Sequence, residues 1–376
     1  MDLFEHAPVL EVAVEAETEL QIEQRRRLLD VVAIYLEPAV AGYARGREIL
    51  AKFPDAERIE VASHWNIPGL HGNEGLVEDW LKIKRTVLVL GVKKSLSAMV
   101  YSRSCDFVAP SHASGCAMSC SYCYVPRRKG FANPITAFVN IERITAYLAR
   151  HAAMQDFKEK PNEVDPAFWV YELGTNSDCS ADALISDNIR DLIALFRKTP
   201  NAKATFATKF VNRDLLDYDP QRKTRIRFSL LPHEIARTVD VRTSPVSERI
   251  KAINDFCAAG YEVNINFGPV IVHDNWLANY AELFDEINDT LTPEAKREMF
   301  CEVIFLTHNE GLHDINLGWH PKGEELLWRP EIQEKKISET GGVNVRYKIR
   351  LKRKMVADFV ALLENKLPWC RIRYAF

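Results

Sequence analysis

Residues 245–267 read Pro-Val-Ser-Glu-Arg-Ile-Lys-Ala-Ile-Asn-Asp-Phe-Cys-Ala-Ala-Gly-Tyr-Glu-Val-Asn-Ile-Asn-Phe, which separates into one helix, one turn and one strand. Pro245 and Ser247 suit a helix start, the helix covers Val246 to Ala259, and Gly260 stands where a left-handed residue ends it. Glu262 to Phe267 follows as a strand. The same alternation recurs on both sides. Candidate strands cover Asp106 to Ala109, Phe168 to Leu173, Ala204 to Thr208, Ile226 to Leu231 and Glu302 to Leu306. Helix-like stretches cover Ile135 to Met154, Ser186 to Arg197 and Leu277 to Ile287. Strands alternating with helices in this way predict an α/β fold with a parallel sheet, open or curled into part of a barrel.

Such sheets gather chemistry at the carboxyl ends of their strands, where loops vary over a rigid frame. At or just after those ends stand the loop around Cys116, Thr175-Asn-Ser-Asp178, Lys209, Ser229, His273-Asp274 and His308-Asn309. Polar and metal-binding side chains therefore collect at the predicted rim.

The first hundred residues form a block of their own, with helical periodicity from about Glu19 to Ala51 and a β-type run from Thr86 to Gly91. The expected organisation is an N-terminal α/β extension over 1–104, a barrel over 105–310, and a C-terminal hairpin and helix region over 311–376. With 47% of 376 residues hydrophobic and 27% charged, the chain can bury a substantial core. No basic, apolar leader opens it and no apolar run approaches a membrane span, so a cytoplasmic protein without a membrane partner is expected. A formal net charge of -3 argues against a protein coated in positive charge, so any nucleic-acid contact needs a local patch.

Three of the eight cysteines cluster in Gly115-Cys-Ala-Met-Ser-Cys-Ser-Tyr-Cys-Tyr124, spaced Cys-x3-Cys-x2-Cys. Cys116, Cys120 and Cys123 can ligate three irons of a [4Fe-4S] cubane, and no fourth cysteine is nearby. An open iron can be chelated by the methionine moiety of S-adenosylmethionine (SAM). One electron then splits the sulfonium bond and releases a 5′-deoxyadenosyl radical that abstracts hydrogen. The competing reading is structural zinc, which wants four closed ligands and finds only His112 to spare on this loop. Cys105, Cys257, Cys301 and Cys370 read as core residues.

With these residues in hand, the chain resembles the spore photoproduct lyase family from about Lys84 to the carboxyl terminus. The resemblance is carried by Thr86-Val-Leu-Val-Leu-Gly-Val-Lys-Lys94, the cysteine loop with Tyr122 and Tyr124, Tyr171-Glu-Leu-Gly-Thr-Asn-Ser-Asp178, Thr208-Lys209 and Phe228-Ser-Leu230. It continues through Thr243, the Arg249 helix, Gly260-Tyr261, Pro269 and Trp276. It implies a partial (β/α)6 TIM-type barrel of the radical SAM kind, a [4Fe-4S] cluster, SAM, and an electron donor such as flavodoxin or ferredoxin. In true lyases it implies reversal of a methylene-bridged thymine dimer in DNA. It assigns Ser177, Lys209 and Ser229 to SAM, and Tyr122 and Tyr124 to a radical or hydrogen relay. Side-chain chemistry agrees, since Lys209 can meet the SAM carboxylate and the hydroxyls can bind carboxylate or ribose oxygens.

One departure stands out. In the family a cysteine ahead of the Ser-Asp pair donates hydrogen to the substrate radical, and that register falls on Thr175. A hydroxyl O-H bond is too strong to give up hydrogen readily to a carbon radical, whereas a thiol S-H is weak. Cys179 can substitute if the loop turns it inward; otherwise it is a small packing residue at a helix start. Thr175 therefore motivates an alternative, a radical SAM enzyme acting on a small molecule or peptide. A non-catalytic metal-binding module is the remaining reading.

Near the carboxyl terminus Arg346, Lys348, Arg350 and Lys352 alternate with Tyr347, Ile349 and Leu351. A period of two predicts one charged strand face, the second arm of a hairpin turned at Gly341-Gly342. In the resembling family a C-terminal hairpin helps to open DNA around the lesion, which makes these four residues candidate DNA contacts. The plainer reading is a solvated edge strand carrying its usual lysines.

Overall fold

In the computed structural model the described residues are 19–71, 79–123, 125, 129–130, 132–337 and 343–376. The unit at residues 245–267 forms a helix over Val246–Ala258, a turn at Gly260 with φ +87°, and a strand from Glu262. The strands in chain order are β1 (Ala33–Leu36), β2 (Glu57–Glu60), β3 (Val87–Gly91), β4 (Met99–Val100), β5 (Phe107–Val108), β6 (Ala113–Ser114), β7 (Ile135–Phe138) and β8 (Trp169–Glu172). They continue as β9 (Ala202–Thr208), β10 (Thr224–Ser229), β11 (Glu262–Val270), β12 (Phe300–Phe305), β13 (Thr307–Asn309), β14 (Gln333–Ile337), β15 (Val343–Tyr347) and β16 (Arg371–Ala375).

One sheet runs β16-β12-β11-β10-β9-β8-β5-β4, and every neighbouring pair is parallel except β4 with β5. It contains each strand expected from the alternation. The sheet curls into a half-barrel. Arg227 of β10 bonds both Glu172 of β8 and Glu302 of β12, two strands away on either side, which only a concave face permits. Residues at alternate positions pack outward: Ile226 and Phe228, with Phe206 and Ile265, join the apolar layer beneath the helices. The lumen is ionic instead. Below Arg227, Lys203 and Arg225 each pair with Glu262 at 2.5 Å and share Asp165.

A second sheet, β2-β1-β3-β7-β6, precedes the barrel, and a third, β13-β15-β14, follows it. The sheets cross the expected sequence blocks, because β4 and β16 extend the barrel while β6 and β7 complete the N-terminal sheet.

Three stretches differ from expectation. Glu19 to Ala51 is not one helix but a helix over Glu19–Leu28, strand β1, a 3-10 turn over Pro38–Gly42 and a helix over Ala44–Lys52. Ile34 is wholly buried between sheet neighbours, and Pro38 cannot continue a helix begun upstream. Ile135 to Met154 divides at Asn140 into β7, buried on both faces, and a helix over Ile141–Ala153. The basic stretch is also not one strand. It leaves β15 at Tyr347 and enters a helix over Ile349–Lys366. Met355, Phe359 and Leu363 recur every four residues and bury that helix, so the period of two across residues 346–352 spans two elements. The hairpin arms themselves form, as antiparallel β14 and β15, while Gly341-Gly342 lies outside the described residues.

Candidate active site

The cysteine loop spans the gap between the two large sheets and is anchored at several points. Gly115, at φ +94°, donates to the Asn176 carbonyl at 2.9 Å; a Cβ there would lie 2.3 Å from the Pro134 carbonyl oxygen, so only glycine fits. Ser119 and Ser121 donate to the carbonyls of Val241 and Val239 at 3.0 and 2.9 Å. Asn316, on the helix Glu310–Trp319, donates to the Ser121 carbonyl and to Glu324, both at 2.6 Å. Glu324 also accepts from His313 at 2.6 Å and lies 3.0 Å from His308. His308 thus belongs to the scaffold behind the loop.

Cys116, Cys120 and Cys123 line one narrow cleft, together with Trp80, Lys84 and Trp319. Burial pushes the Cys116 and Cys120 thiols well above the ordinary range, with nearby carboxylates adding to the effect. Thiolates are stable in such a place when metal replaces the proton, so the donor set fits an iron-sulfur cubane. His112, the spare zinc candidate, is 1% exposed and turned to Asp182 at 2.9 Å. Among the described residues no three His, Cys, Asp or Glu side chains converge as they would on a single ion.

The strand ends beside the cysteines carry the rest. Asp178 caps the short helix Cys179–Asp182 and accepts from Thr208 at 2.8 Å and from the Lys209 amide at 3.2 Å. Burial raises its carboxyl to about 6. Ser177 Oγ and Asn266 Oδ1 are buried and have no hydrogen-bond partner among the described residues. Asn266 donates to Ser229 Oγ at 3.2 Å. Lys209 Nζ makes long hydrogen bonds, 3.4 Å to Asp240 and 3.5 Å to the Gly268 carbonyl, and lies over the Tyr122 ring. Unfilled donors and acceptors on one rim fit a ligand bearing a carboxylate, an ammonium and ribose hydroxyls.

Asp240 ties this rim to the loop. It accepts from Tyr122, from Arg249 at 3.0 Å and from Lys209. Burial alone would raise its carboxyl, but Lys209 and Arg249 hold it below its ordinary range. Burial, and then the Asp240 charge, pushes the Tyr122 phenol far upward.

A family model described as spore photoproduct lyase matches residues 30–376. The chain belongs to the spore photoproduct lyase family. A spore photoproduct lyase of Bacillus subtilis is 28% identical over 72% of this chain and 77% of its own length, and one of Clostridium acetobutylicum is 27% identical over the same shares. The solved structure of a spore photoproduct lyase complexed with dinucleoside spore photoproduct superposes with TM-score 0.83 at 23% identity, covering 93% of this chain and 100% of that one. A double mutant with bound AdoMet and the same dinucleoside gives 0.82 at 23% identity, with the same coverage. These likenesses establish the radical SAM half-barrel fold, and the family places the chain among lyases.

Of the residues expected at the site, Cys116, Cys120 and Cys123 line one cleft, Tyr122 and Lys209 share Asp240, Ser177 precedes the Asp178 that accepts from the Lys209 amide, Ser229 accepts from Asn266, and Tyr124 lies outside the described residues. Cys179 is 0% exposed, with its Sγ 3.2 Å from where a Gly174 Cβ would stand and Phe206 beside them. It sits in the apolar layer under the loop. Arg346 pairs with Glu334 at 3.1 Å, Lys348 donates to the Glu331 carbonyl, Lys352 lies over the Phe376 ring, and Arg350 is exposed on the helix. Sequence reasoning missed Asn266, Asp240 and Lys84. Asn266 left a signal, the last of the alternating polar positions Glu262, Asn264 and Asn266 on β11. Asp240 and Lys84 left none, since their partners lie far away in sequence.

Proposed function

We propose that the chain is a radical SAM enzyme acting on a pyrimidine lesion or related group in nucleic acid. The carrying observation is how the cysteine loop joins the strand ends: Tyr122 of that loop and Lys209 share Asp240, and on those strand ends Ser177 Oγ and Asn266 Oδ1 are buried without hydrogen-bond partners among the described residues. When bound, cluster and SAM together supply a 5′-deoxyadenosyl radical that abstracts a hydrogen atom from substrate. In this reading Cys116, Cys120 and Cys123 hold the cluster. Lys209 meets the carboxylate of SAM, and Ser177, Ser229 and Asn266 bind its remaining polar atoms. Asp240 joins Lys209 and Tyr122 in one network, and Tyr122 together with Tyr124 takes the hydrogen-relay role that the family resemblance implies. A low-potential one-electron carrier of the flavodoxin or ferredoxin type is the required reductant. Support for the substrate comes from the relatives' names and from the dinucleoside bound in the family structure.

The test is anaerobic reconstitution followed by incubation of the reduced protein with SAM and ultraviolet-irradiated DNA. Formation of 5′-deoxyadenosine with loss of methylene-bridged dimers is expected. Colourless protein holding zinc and no iron would overturn the catalytic reading.

A second reading rests on Thr175, which stands at the family's hydrogen-donor position: the substrate is a small molecule or peptide. An enzyme that cleaves SAM yet leaves irradiated DNA untouched would favour it.

A further inference from the structure

Lys84 belongs to the helix Trp80–Thr86 of the N-terminal block, outside the barrel, yet it lines the cleft of all three clustered cysteines. Trp80 and Lys84, one turn apart, both point inward, while Lys82 and Arg85 of the same helix are exposed. Trp80 stacks on Trp319 with ring centroids 4.2 Å apart and closes the cleft over them. The Lys84 side chain is 1% exposed. Burying an ammonium is expensive unless negative charge lies close by. The sulfur atoms of Cys116, Cys120 and Cys123 line the same cleft and can supply that charge once they hold a metal as thiolates.

We propose that Lys84 is a charge-compensating residue of the iron-sulfur centre, held by the N-terminal block against the cluster so that the centre can accept its electron. This rests on the cluster reading above. Three thiolates and an oxidised cubane core carry one net negative charge, and reduction makes two. The electron comes from a low-potential one-electron carrier. No bond is made or broken and no proton has to move. An ammonium in a water-poor cleft stabilises the more negative state, because an unscreened charge acts strongly at short range. The N-terminal block then does more than pack, since it sets the reducibility of the centre.

The experiment is a redox titration of the reconstituted protein, following the reduced cluster by electron paramagnetic resonance, for wild type, Lys84→Met, Lys84→Arg and the exposed control Lys82→Met. At a fixed poise Lys84→Met should show at least a tenfold lower ratio of reduced to oxidised cluster, equivalent to 59 mV for one electron. Lys84→Arg should restore most of it, and Lys82→Met should match wild type. A fully loaded Lys84→Met protein with the wild-type midpoint would overturn the proposal. If Lys84→Met fails to take up iron, Lys84→Arg decides: loading by Arg supports the role of charge, and failure of both assigns Lys84 to packing. Wild type without any cubane signal would sink the cluster reading itself, an outcome distinct from a cubane whose potential ignores Lys84.

Discussion

Tyr122 donates its phenolic hydrogen to Asp240, joining the cysteine loop to the far side of the barrel mouth across 118 positions of sequence. The same carboxylate holds Arg249 at 3.0 Å and Lys209 at 3.4 Å, and Asp240 is buried. Asp240→Asn leaves two cations facing each other without their counter-charge. Breaking a buried pair of this kind costs about 3–5 kcal/mol. The expected outcome in thermal or denaturant unfolding is a large loss of stability. Tyr122→Phe should cost less, about 1–3 kcal/mol, by leaving one acceptor short. It should keep iron and SAM binding while turnover falls. Equal stability of Asp240→Asn and wild type would dissolve the network.

The orphaned Asn266 Oδ1 and Ser177 Oγ carry a second prediction. If both face SAM, each alanine substitution removes one hydrogen bond, worth about 0.5–1.5 kcal/mol. Equilibrium binding of SAM to cluster-loaded protein should weaken roughly two- to tenfold for each, and iron content should stay unchanged. Unaltered binding in the double variant would remove both residues from the cofactor site.

How much of this was legible in the sequence depends on the range of the interaction that decides each feature. The barrel strands could be read because each is a local apolar run followed by its own helix, as in residues 245–267. The cysteine loop could be read because its three ligands lie within eight residues. Where a period of two met a period of four, at Tyr347 to Ile349, a local pattern misled, since burial of Met355, Phe359 and Leu363 settles where the helix begins. Lys84 and Asp240 were invisible because their meaning is a contact. Nothing near Lys84 separates it from exposed Lys82 until the helix is set against the cysteine loop and Trp319.

Thr175 and Cys179 make a pair of opposite tests. Cys179 lies fully buried beside Gly174 and Phe206, so Cys179→Ala should act first on stability, through a small cavity. If the thiol nonetheless turns inward as hydrogen donor, Cys179→Ala will lower product formed per 5′-deoxyadenosine much more than it lowers stability. Thr175→Cys places a weak S-H bond at the family's donor position. On a methylene-bridged dimer it should raise that product ratio and, in deuterium oxide, carry solvent deuterium into the repaired base. Mass spectrometry of the product reads both effects.

Nucleic-acid contact, if it uses the basic C-terminal stretch, must come from two elements, the end of β15 and the first turns of the following helix. Arg346 and Lys348 already have protein partners, whereas Arg350 is exposed. Arg350→Glu should therefore weaken binding to irradiated duplex DNA more than Arg346→Glu. Each phosphate that a variant no longer neutralises should flatten the dependence of log affinity on log salt by about one. A salt slope unchanged in the combined Arg346, Lys348 and Arg350 variant would move the interface elsewhere.

The ionic lumen gives the fold an acid limit. Burial alone would raise the Glu262 carboxyl, yet Arg225 and Lys203, each bonded to it at 2.5 Å, hold it down to about 2 against an ordinary 4.5. A folded-state value below the unfolded one means that the unfolded chain binds the proton first as pH falls. Its stabilisation is therefore complete above about 4.5 and lost as pH drops toward 2. The difference corresponds to about 3 kcal/mol. Glu262→Gln should lower stability at neutral pH and flatten the decline between those limits, because the variant has no proton left to take up there. Denaturant unfolding at a series of pH values measures the slope directly. Parallel profiles for variant and wild type would show that the lumen pairs do not govern acid unfolding.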